Sequence, residues 1–485
     1  PLADQGVGQR DPVALGELVP EALALVPSWL QDDFVVAMAR LETELQDELC
    51  AMLLDVDDPW LLDEVAFSIA HTSPEVLRYV YFYPELLVVN AELVYAYDAL
   101  GRLAFPDRNV NSTASGDQDQ PEIALGADGA FVAAWADDSS SADGADNLDV
   151  LIRGFAPGGC GGFSDLSADV DTAGDQREPA LAADASGNFV VTWADDTDGN
   201  GVYQIRARGF APDGSERFSE FTVNSEAPGQ QRDPAIAMAP DGRFAIAWED
   251  DPEDDGDSQI LVRGFSADGA ELFADRSVHD EDQGDRVNPS LGMDASGNLV
   301  VTWQDDGDGN GYDQIHARGF DAGGDEWFAR VTVNSVSDGQ QRKPSVGVDD
   351  AGTFVVAWQD DPDNDGDYDI MARSFAVGGI PQAEWSGASG GQRRDPVVDM
   401  APGGAFAIAW EDDGDGNGAF QIKAVSWTSG GAAWHAEATV NHESAGQQTN
   451  PAVGFADDGT MVVSWADDMD GNDVSQILAT GFDAP

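Results

Sequence analysis

The sequence predicts a mainly β protein, a seven-bladed β-propeller of four-stranded blades preceded by a small all-α domain. Three observations favour this fold: the apolar pattern changes abruptly near Gly101, the residues after it repeat one unit, and each unit holds four short β-like runs. The units are marked by Trp135, Trp193, Trp248, Trp303, Trp358, Trp410 and Trp465. Successive tryptophans lie 58, 55, 55, 55, 52 and 55 residues apart, which predicts seven blades.

Residues 1–100 are predicted to form the helical domain. Their apolar residues recur at three- and four-residue spacing, as in the run that contains Phe34, Met38 and Leu41. Prolines fall where helices are expected to begin, at Pro27, Pro59, Pro74 and Pro84.

Residues 101–485 are predicted to form the propeller. In the third blade the expected strands are 234–238, 244–248, 259–265 and 272–278, with a turn at 241–242 and an acidic loop at 250–257. A solenoid of four-stranded units is the competing architecture, but seven units suit a closed ring and no distinct capping repeat occurs. The last blade stops before its fourth strand, and residues 108–111 match that missing strand. The sequence therefore predicts that this early strand closes the ring.

The chain is strongly acidic, with 91 Asp and Glu against 23 Lys and Arg, for a formal net charge of -68. Such a field repels phosphate, so nucleic acid and anionic lipid are excluded as partners. The carboxylates suit either a surface solvated in high salt or the coordination of divalent cations. The near absence of Lys beside abundant Asp resembles a halophilic or marine bacterial surface.

Secretion to the cell surface or the extracellular space is expected. The sequence begins at Pro1 instead of methionine, which indicates a removed leader, and it has no long uninterrupted apolar run that predicts a transmembrane helix. Cys50 and Cys160 are too few for a disulfide framework. They form either one bridge between the two domains or two unrelated thiols.

The loop after each blade's tryptophan carries the sharpest chemical signal. Oxygen-bearing side chains at its first, third and fifth positions, before a glycine turn, match the way a loop wraps one Ca²⁺. The predicted ligands are Asp196, Asp198, Asn200, Asp251, Glu253, Asp255, Asp306, Asp308, Asn310, Asp361, Asp363, Asp365, Asp369, Asp413, Asp415, Asn417, Asp468, Asp470 and Asn472. About five Ca²⁺ ions are expected, and up to seven if the first and last blades also bind. The alternative is that these are ordinary hairpin turns made acidic for solubility.

These loops resemble the calcium-binding blades of the integrin α-subunit and of FG-GAP-type repeats, whose pattern is Asp-x-Asp-x-Asp-Gly-x-x-Asp. Only the fifth blade completes the pattern, with Asp369 as its ninth residue. The helical region is similar, over residues 29–34, 66–72 and 90–95, to the helical region of bacterial transglutaminase-like proteins. The catalytic domain of those proteins has no counterpart here.

The function expected from the sequence is a secreted calcium-binding propeller without enzymatic activity that serves in binding, adhesion or structural assembly. The expectation depends on the regularity of blades 2 to 5, since catalytic propellers place unlike polar residues around their central channel. Its partners would be calcium, an unknown protein or glycan, and further copies of the chain, joined as a homo-oligomer or filament through the helical domain.

The alternative is a carbohydrate- or peptide-processing enzyme, or a non-catalytic remnant of a transglutaminase-like protein. An active site would then lie in the irregular first and sixth blades, where Trp385, Trp427, Trp434 and His435 are the first candidates. The five histidines show no zinc-binding or catalytic spacing. The arginines that recur in the third strands, such as Arg208 and Arg263, are expected to pair with the acidic loops.

Overall fold

A computed structural model describes residues 103–112, 116–126, 128–139, 148–159, 161–170, 174–225, 228–279, 284–307, 309–387, 391–441, 446–468 and 474–482. The predicted helical domain, Cys50, Cys160 and the transglutaminase-like segments lie outside these residues and stay predictions. Within the described residues no helix is long and apolar enough to cross a membrane.

The described residues form seven antiparallel sheets of four strands each, which confirms the seven-bladed β-propeller. The first strands line the central channel and are β2 (Gln118–Leu125), β6 (Asp175–Ala183), β10 (Gln230–Met238), β14 (Arg286–Met293), β18 (Gln340–Val348), β22 (Gln392–Met400) and β26 (Gln447–Phe455). The second strands are β3 (Phe131–Asp137), β7 (Phe189–Asp196), β11 (Phe244–Asp251), β15 (Leu299–Asp305), β19 (Phe354–Asp361), β23 (Phe406–Asp413) and β27 (Met461–Asp468).

The outer half of each blade is made of third and fourth strands. The third strands are β4 (Asp149–Phe155), β8 (Gln204–Phe210), β12 (Gln259–Phe265), β16 (Gln314–Phe320), β20 (Asp369–Ala376), β24 (Gln421–Trp427) and β28 (Gln476–Phe482). The fourth strands are β5 (Leu166–Ser167), β9 (Glu216–Thr222), β13 (Glu271–Ser277), β17 (Glu326–Thr332), β21 (Ile380–Ser386), β25 (Ala438–Thr439) and, for the last blade, β1 (Leu103–Asn109).

The ring is closed by β1, which pairs antiparallel with β28 and so gives the seventh blade its fourth strand. Next to this strand, Val110 is fully buried among residues of the first and last blades. The closing strand thus removes an unpaired sheet edge and packs the first blade against the last.

The apolar core lies between neighbouring blades. Each second strand is covered on both faces, and its tryptophan is at most 1% exposed. In the third strands a glycine makes room for a phenylalanine of the fourth strand. A Cβ at Gly209 would lie 2.2 Å from the ring of Phe218, and one at Gly264 would lie 2.1 Å from the ring of Phe273. This close approach explains why Arg-Gly-Phe recurs in the repeat.

The arginines of that same motif join one blade to the preceding one. Arg208 donates to Glu216 on its own fourth strand and to the carbonyl oxygen of Ala168 in the first blade. Arg263 pairs likewise with Glu271 and donates to the carbonyl oxygen of Val223. The expectation that these arginines pair with the acidic loops is therefore wrong, because their partners are the outer strand and the neighbouring blade.

Candidate active site

The acidic loops lie on the face of the propeller where second strands end and first strands begin, called here the mouth face. The loop of the second blade is tied to the next first strand, since the Gln230 amide donates to the carbonyl oxygen of Gly201 at 2.8 Å. The loops therefore surround the same end of the channel as the starts of the first strands.

The fifth blade gathers its predicted metal ligands. Carboxylate oxygens of Asp361, Asp363 and Asp365 lie within 4.8 Å of one another. Asp361 is buried and accepts hydrogen bonds from the backbone N–H groups of Asp365 and Gly366, at 3.2 and 3.1 Å. An all-oxygen donor set of this kind fits Ca²⁺. The carboxylate of Asp369 is instead held by Arg393 at 3.3 Å and does not join this group.

Within the part of the chain that the structure describes, the loops of blades 2, 3, 4 and 6 share the backbone pattern, but no second group of three clustered carboxylates is found. The first ligand position accepts the glycine N–H in blades 2, 3, 4 and 6, as Asp196 does from Gly201 and Asp413 from Gly418. In blades 2 and 6 the fifth position is asparagine, and the amides of Asn200 and Asn417 donate to Asp198 and Asp415. Among the described residues, Asp251, Glu253 and Asp255 do not form a comparable group. Asp308, Asp470 and Asn472 lie outside the described residues.

A second set of polar residues lines the channel itself, at a β-bulge that each first strand forms before a proline. The residue before that proline has a positive φ of 46° to 55° in every blade. These residues, called here the mouth ring, are Gln120, Glu178, Asp233, Asn288, Lys343, Asp395 and Asn450. They occupy one repeat position yet include acids, amides and an amine.

The bulge removes the backbone N–H groups of mouth-ring residues from the strand ladder, and two kinds of side chain accept hydrogen bonds from them. Where the residue after the tryptophan is long and polar, it accepts that hydrogen bond, as Glu249 does from Asn288 at 2.6 Å. Where that residue is alanine, as at Ala136 and Ala194, a mouth-ring side chain accepts it instead. Gln120 accepts from the N–H of Glu178, and Glu178 from that of Asp233, at 2.9 and 2.8 Å.

Three carboxyl groups meet where the second and third blades face the channel, and Glu178, Asp233 and Glu249 are called here the acid cluster. Burial and the neighbouring charge of Asp233 raise the pKa of Glu249 to about 9, and Glu249 shares a hydrogen bond with Asp233. Burial and Asp233 also raise the pKa of Glu178 to about 7. Near neutral pH Glu249 therefore keeps its proton, while Glu178 is close to its own pKa.

The sixth blade places the same residue types differently. Glu411 accepts hydrogen bonds from Nε of Arg394 at 2.6 Å and from the N–H of Asn450 at 2.7 Å. Burial and the charge of Asp395 raise the pKa of Glu411 to about 7 against the opposing effect of Arg394. Asp395 lies 3.7 Å from Arg394 and 3.8 Å from Nζ of Lys343. This side of the mouth is thus an ion-paired network.

Further carboxyl groups line the channel beyond the mouth ring, among them Glu122 and Asp399. Burial raises the pKa of Glu122 to about 8. Burial also raises the pKa of Asp399 to about 6, although Asp399 accepts hydrogen bonds from the N–H groups of Phe455 and Met400. The whole channel, with a volume of about 770 Å³, is lined mainly by first-strand residues.

The aromatic residues expected at an active site lie elsewhere. Trp385 packs against Trp410 and Trp427 between the fifth and sixth blades, and Trp434 packs edge-on against Phe455. His435 is 1% exposed and hydrogen-bonds Ser426. None of these candidates lines the channel. A signal for the mouth ring does exist in the sequence, because the residue before the first-strand proline differs between blades while its neighbours recur.

No protein-family model and no curated protein sequence matches the chain. Solved structures with a similar fold include a protein of unknown function from Dyadobacter fermentans, at 12% identity and a TM-score of 0.48 over 78% of this chain and 98% of that one. An α-L-arabinanase from Penicillium chrysogenum has 13% identity and a TM-score of 0.44, covering 64% of this chain and 93% of its own. A Hadza microbial sialidase has 11% identity and a TM-score of 0.45, covering 70% and 74%.

Two expectations change with these findings. The resemblance to integrin and FG-GAP repeats holds only for the seven-bladed propeller, since no family model supports it. The expectation that the chain is not an enzyme is wrong. That expectation was based on like residues around the channel, but the mouth ring is made of unlike ones. The solved propellers of similar fold include an arabinanase and a sialidase. At such low identity these likenesses show a shared architecture alone.

Proposed function

We propose that the protein is a carbohydrate-processing enzyme, a glycoside hydrolase whose active site is the acid cluster at the channel mouth. The observation that carries the proposal is the meeting of Glu178, Asp233 and Glu249 at the channel mouth, where burial and the charge of Asp233 raise the pKa of both glutamates. Glycoside hydrolysis needs one carboxylic acid to protonate the leaving oxygen and one carboxylate on the other side of the scissile bond. Glu178 and Asp233 both line the channel and supply this pair.

In this proposal Glu178 is the general acid. Its pKa of about 7 keeps a proton available near neutral pH, and that proton passes to the glycosidic oxygen as the bond to the anomeric carbon breaks. Asp233 is the carboxylate that attacks the anomeric carbon or takes a proton from the attacking water. Glu249 does not line the channel, and its hydrogen bond to Asp233 makes it a positioning residue.

The mouth ring also favours carbohydrate over peptide as the substrate class. Its seven members include no serine, cysteine or histidine, the residues from which nucleophile and base pairs for peptide hydrolysis are commonly built. Amide and carboxylate groups, in contrast, hydrogen-bond sugar hydroxyls directly.

The test is an activity screen of the purified full chain on aryl glycosides and oligosaccharides. We expect hydrolysis by the native protein and a loss of kcat of about 10²- to 10⁴-fold in Glu178→Gln. Asp241→Asn, on a turn at the other end of the third blade, is the control and should retain native activity. Equal activity of Glu178→Gln and the control would contradict the proposal.

Calcium binding by the acidic loops stays a prediction, as do secretion and self-association through the helical region. The clustered carboxylates of Asp361, Asp363 and Asp365 support calcium binding in the fifth blade. The role we propose for calcium is structural, because the loops surround the mouth while the acid cluster lies in the channel wall.

A further inference from the structure

Lys343 is a mouth-ring residue whose conformation and length the fold does not explain. A left-handed backbone is unfavourable for residues other than glycine, and asparagine and aspartate tolerate it best. Four mouth-ring residues are of these two types, and the long ones are Gln120, Glu178 and Lys343. Gln120 and Glu178 use their length to accept the next blade's N–H.

Lys343 has no such task. An ammonium group cannot accept a hydrogen bond, and the next blade's N–H, that of Asp395, is already accepted by Gln359 at 3.1 Å. Nζ of Lys343 lies 3.8 Å from Asp395, an acid that it shares with Arg394, and the lysine side chain is 51% exposed. A strained lysine that presents its charge to the channel mouth points to a function for that charge.

The position of this charge fits a substrate that spans the mouth. In a ring of seven blades, the fifth and sixth lie across the channel from the second and third, which carry the acid cluster. Arg394, on the same side, already donates to Glu411 and lies 3.9 Å from the ring centre of Phe420, so Lys343 is the basic residue that lines the channel there. A sugar chain that reached from the acid cluster across the mouth would bring a neighbouring unit towards Lys343.

We infer that Lys343 binds an anionic substituent, a carboxylate or a sulfate, on a sugar unit next to the scissile bond. This inference rests on the proposed glycoside hydrolase function and names its substrate class as acidic glycans. A net charge of -68 repels long polyanions, so the ligand carries few anionic units or is short. Screening by physiological salt confines that repulsion to about 8 Å and leaves the local contact with Lys343 effective.

Binding by isothermal titration tests the inference with two pairs of probes. One pair is oligogalacturonate and its carboxyl-reduced form, and the other is a sulfated carrageenan oligosaccharide and its desulfated form. We expect the native protein to bind one anionic probe at least tenfold more tightly than its neutral partner, and the pair that shows the preference identifies the anionic group. Lys343→Met should remove this preference, while Lys343→Arg should retain most of it.

The matched control is Lys423→Met at the chain's other lysine, which lies on β24 and pairs with Asp412 and Glu437 at 3.3 and 3.4 Å. Unfolding midpoints equal to the native value would show that each variant is folded. Equal binding of charged and neutral probes, or a preference that survives Lys343→Met, overturns the inference and leaves the proposed function standing. Failure to bind any of the four probes also overturns the inference, and the proposed function is then decided by the activity screen of native protein and Glu178→Gln.

Discussion

The third and sixth blades carry the same three charged residues at the same repeat positions, but their carboxyl groups have different surroundings. Arg232, Asp233 and Glu249 of the third blade correspond to Arg394, Asp395 and Glu411 of the sixth. Arg394 donates to Glu411 at 2.6 Å, whereas the guanidinium of Arg232 lies 5.7 Å from the ring centre of Tyr203.

One aromatic residue and one neighbour account for the difference. Phe420 precedes the third strand of the sixth blade and packs on Arg394 at 3.9 Å, while the third blade has Ser258 at that position. The mouth-ring residue of the preceding blade is Lys343 beside Asp395, but Glu178 beside Asp233. A regular repeat can thus place an ion-paired network and a cluster of carboxyl groups at equivalent positions.

The largest expected effect is on the pH dependence of stability. Glu249 and Glu411 keep their protons in the folded state above the pH at which an unfolded glutamate ionises, so each destabilises the native protein as pH rises. The stabilising effect of Glu249→Gln should grow by up to about 1.4 kcal/mol per pH unit from about pH 4.5 until about pH 9. For Glu411→Gln the growth should stop near pH 7.

Urea unfolding of the native protein and both variants between pH 5 and pH 9 measures this difference. Parallel pH profiles for the two variants above pH 7 would show that the third and sixth blades do not differ as described. Both variants are compared with the same native curve. The contributions of the other titrating groups to the pH dependence of stability therefore cancel.

Calcium is expected to have a smaller effect on the free energy of unfolding, and this effect should differ between the loops of the fifth and third blades. Ions that bind the folded loop alone stabilise by mass action, by about 0.4 to 1.4 kcal/mol per site at 1 mM Ca²⁺ for dissociation constants of about 0.1 to 1 mM. Asp361→Asn, in the loop that gathers its carboxylates, should reduce the calcium-induced rise in Tm more than Asp251→Asn in the third blade. A Tm unchanged by chelation would contradict calcium binding altogether.

The fold could be predicted because the same unit recurs along the sequence. The tryptophan spacing identifies seven blades, and the missing last strand leads to the β1–β28 pair that the structure contains. The partners predicted for arginines such as Arg208 are wrong, because only the packing of one blade on the next brings the carbonyl oxygen of Ala168 to the third strand.

The acid cluster was missed for a physical reason. Glu178 and Asp233 are 55 residues apart in the chain, and they meet only because each first strand bulges at the same depth in the channel. Regularity in the rest of the repeat favoured a structural protein, although the variable residue before each proline was already visible. The arginine's partner depends on whether Phe420 or Ser258 lies before the third strand, and this dependence can be recognised only from the three-dimensional contacts.

The central claim is that the acid cluster of the second and third blades carries the reaction and that the equivalent residues of the sixth blade do not. Its most direct test compares kcat/KM of Asp233→Asn with that of Asp395→Asn, substitutions at equivalent mouth-ring positions, on one substrate at one pH. We expect kcat/KM to fall at least about a hundredfold in Asp233→Asn and less than about tenfold in Asp395→Asn. Equal losses in the two variants, or a larger loss in Asp395→Asn, would contradict it.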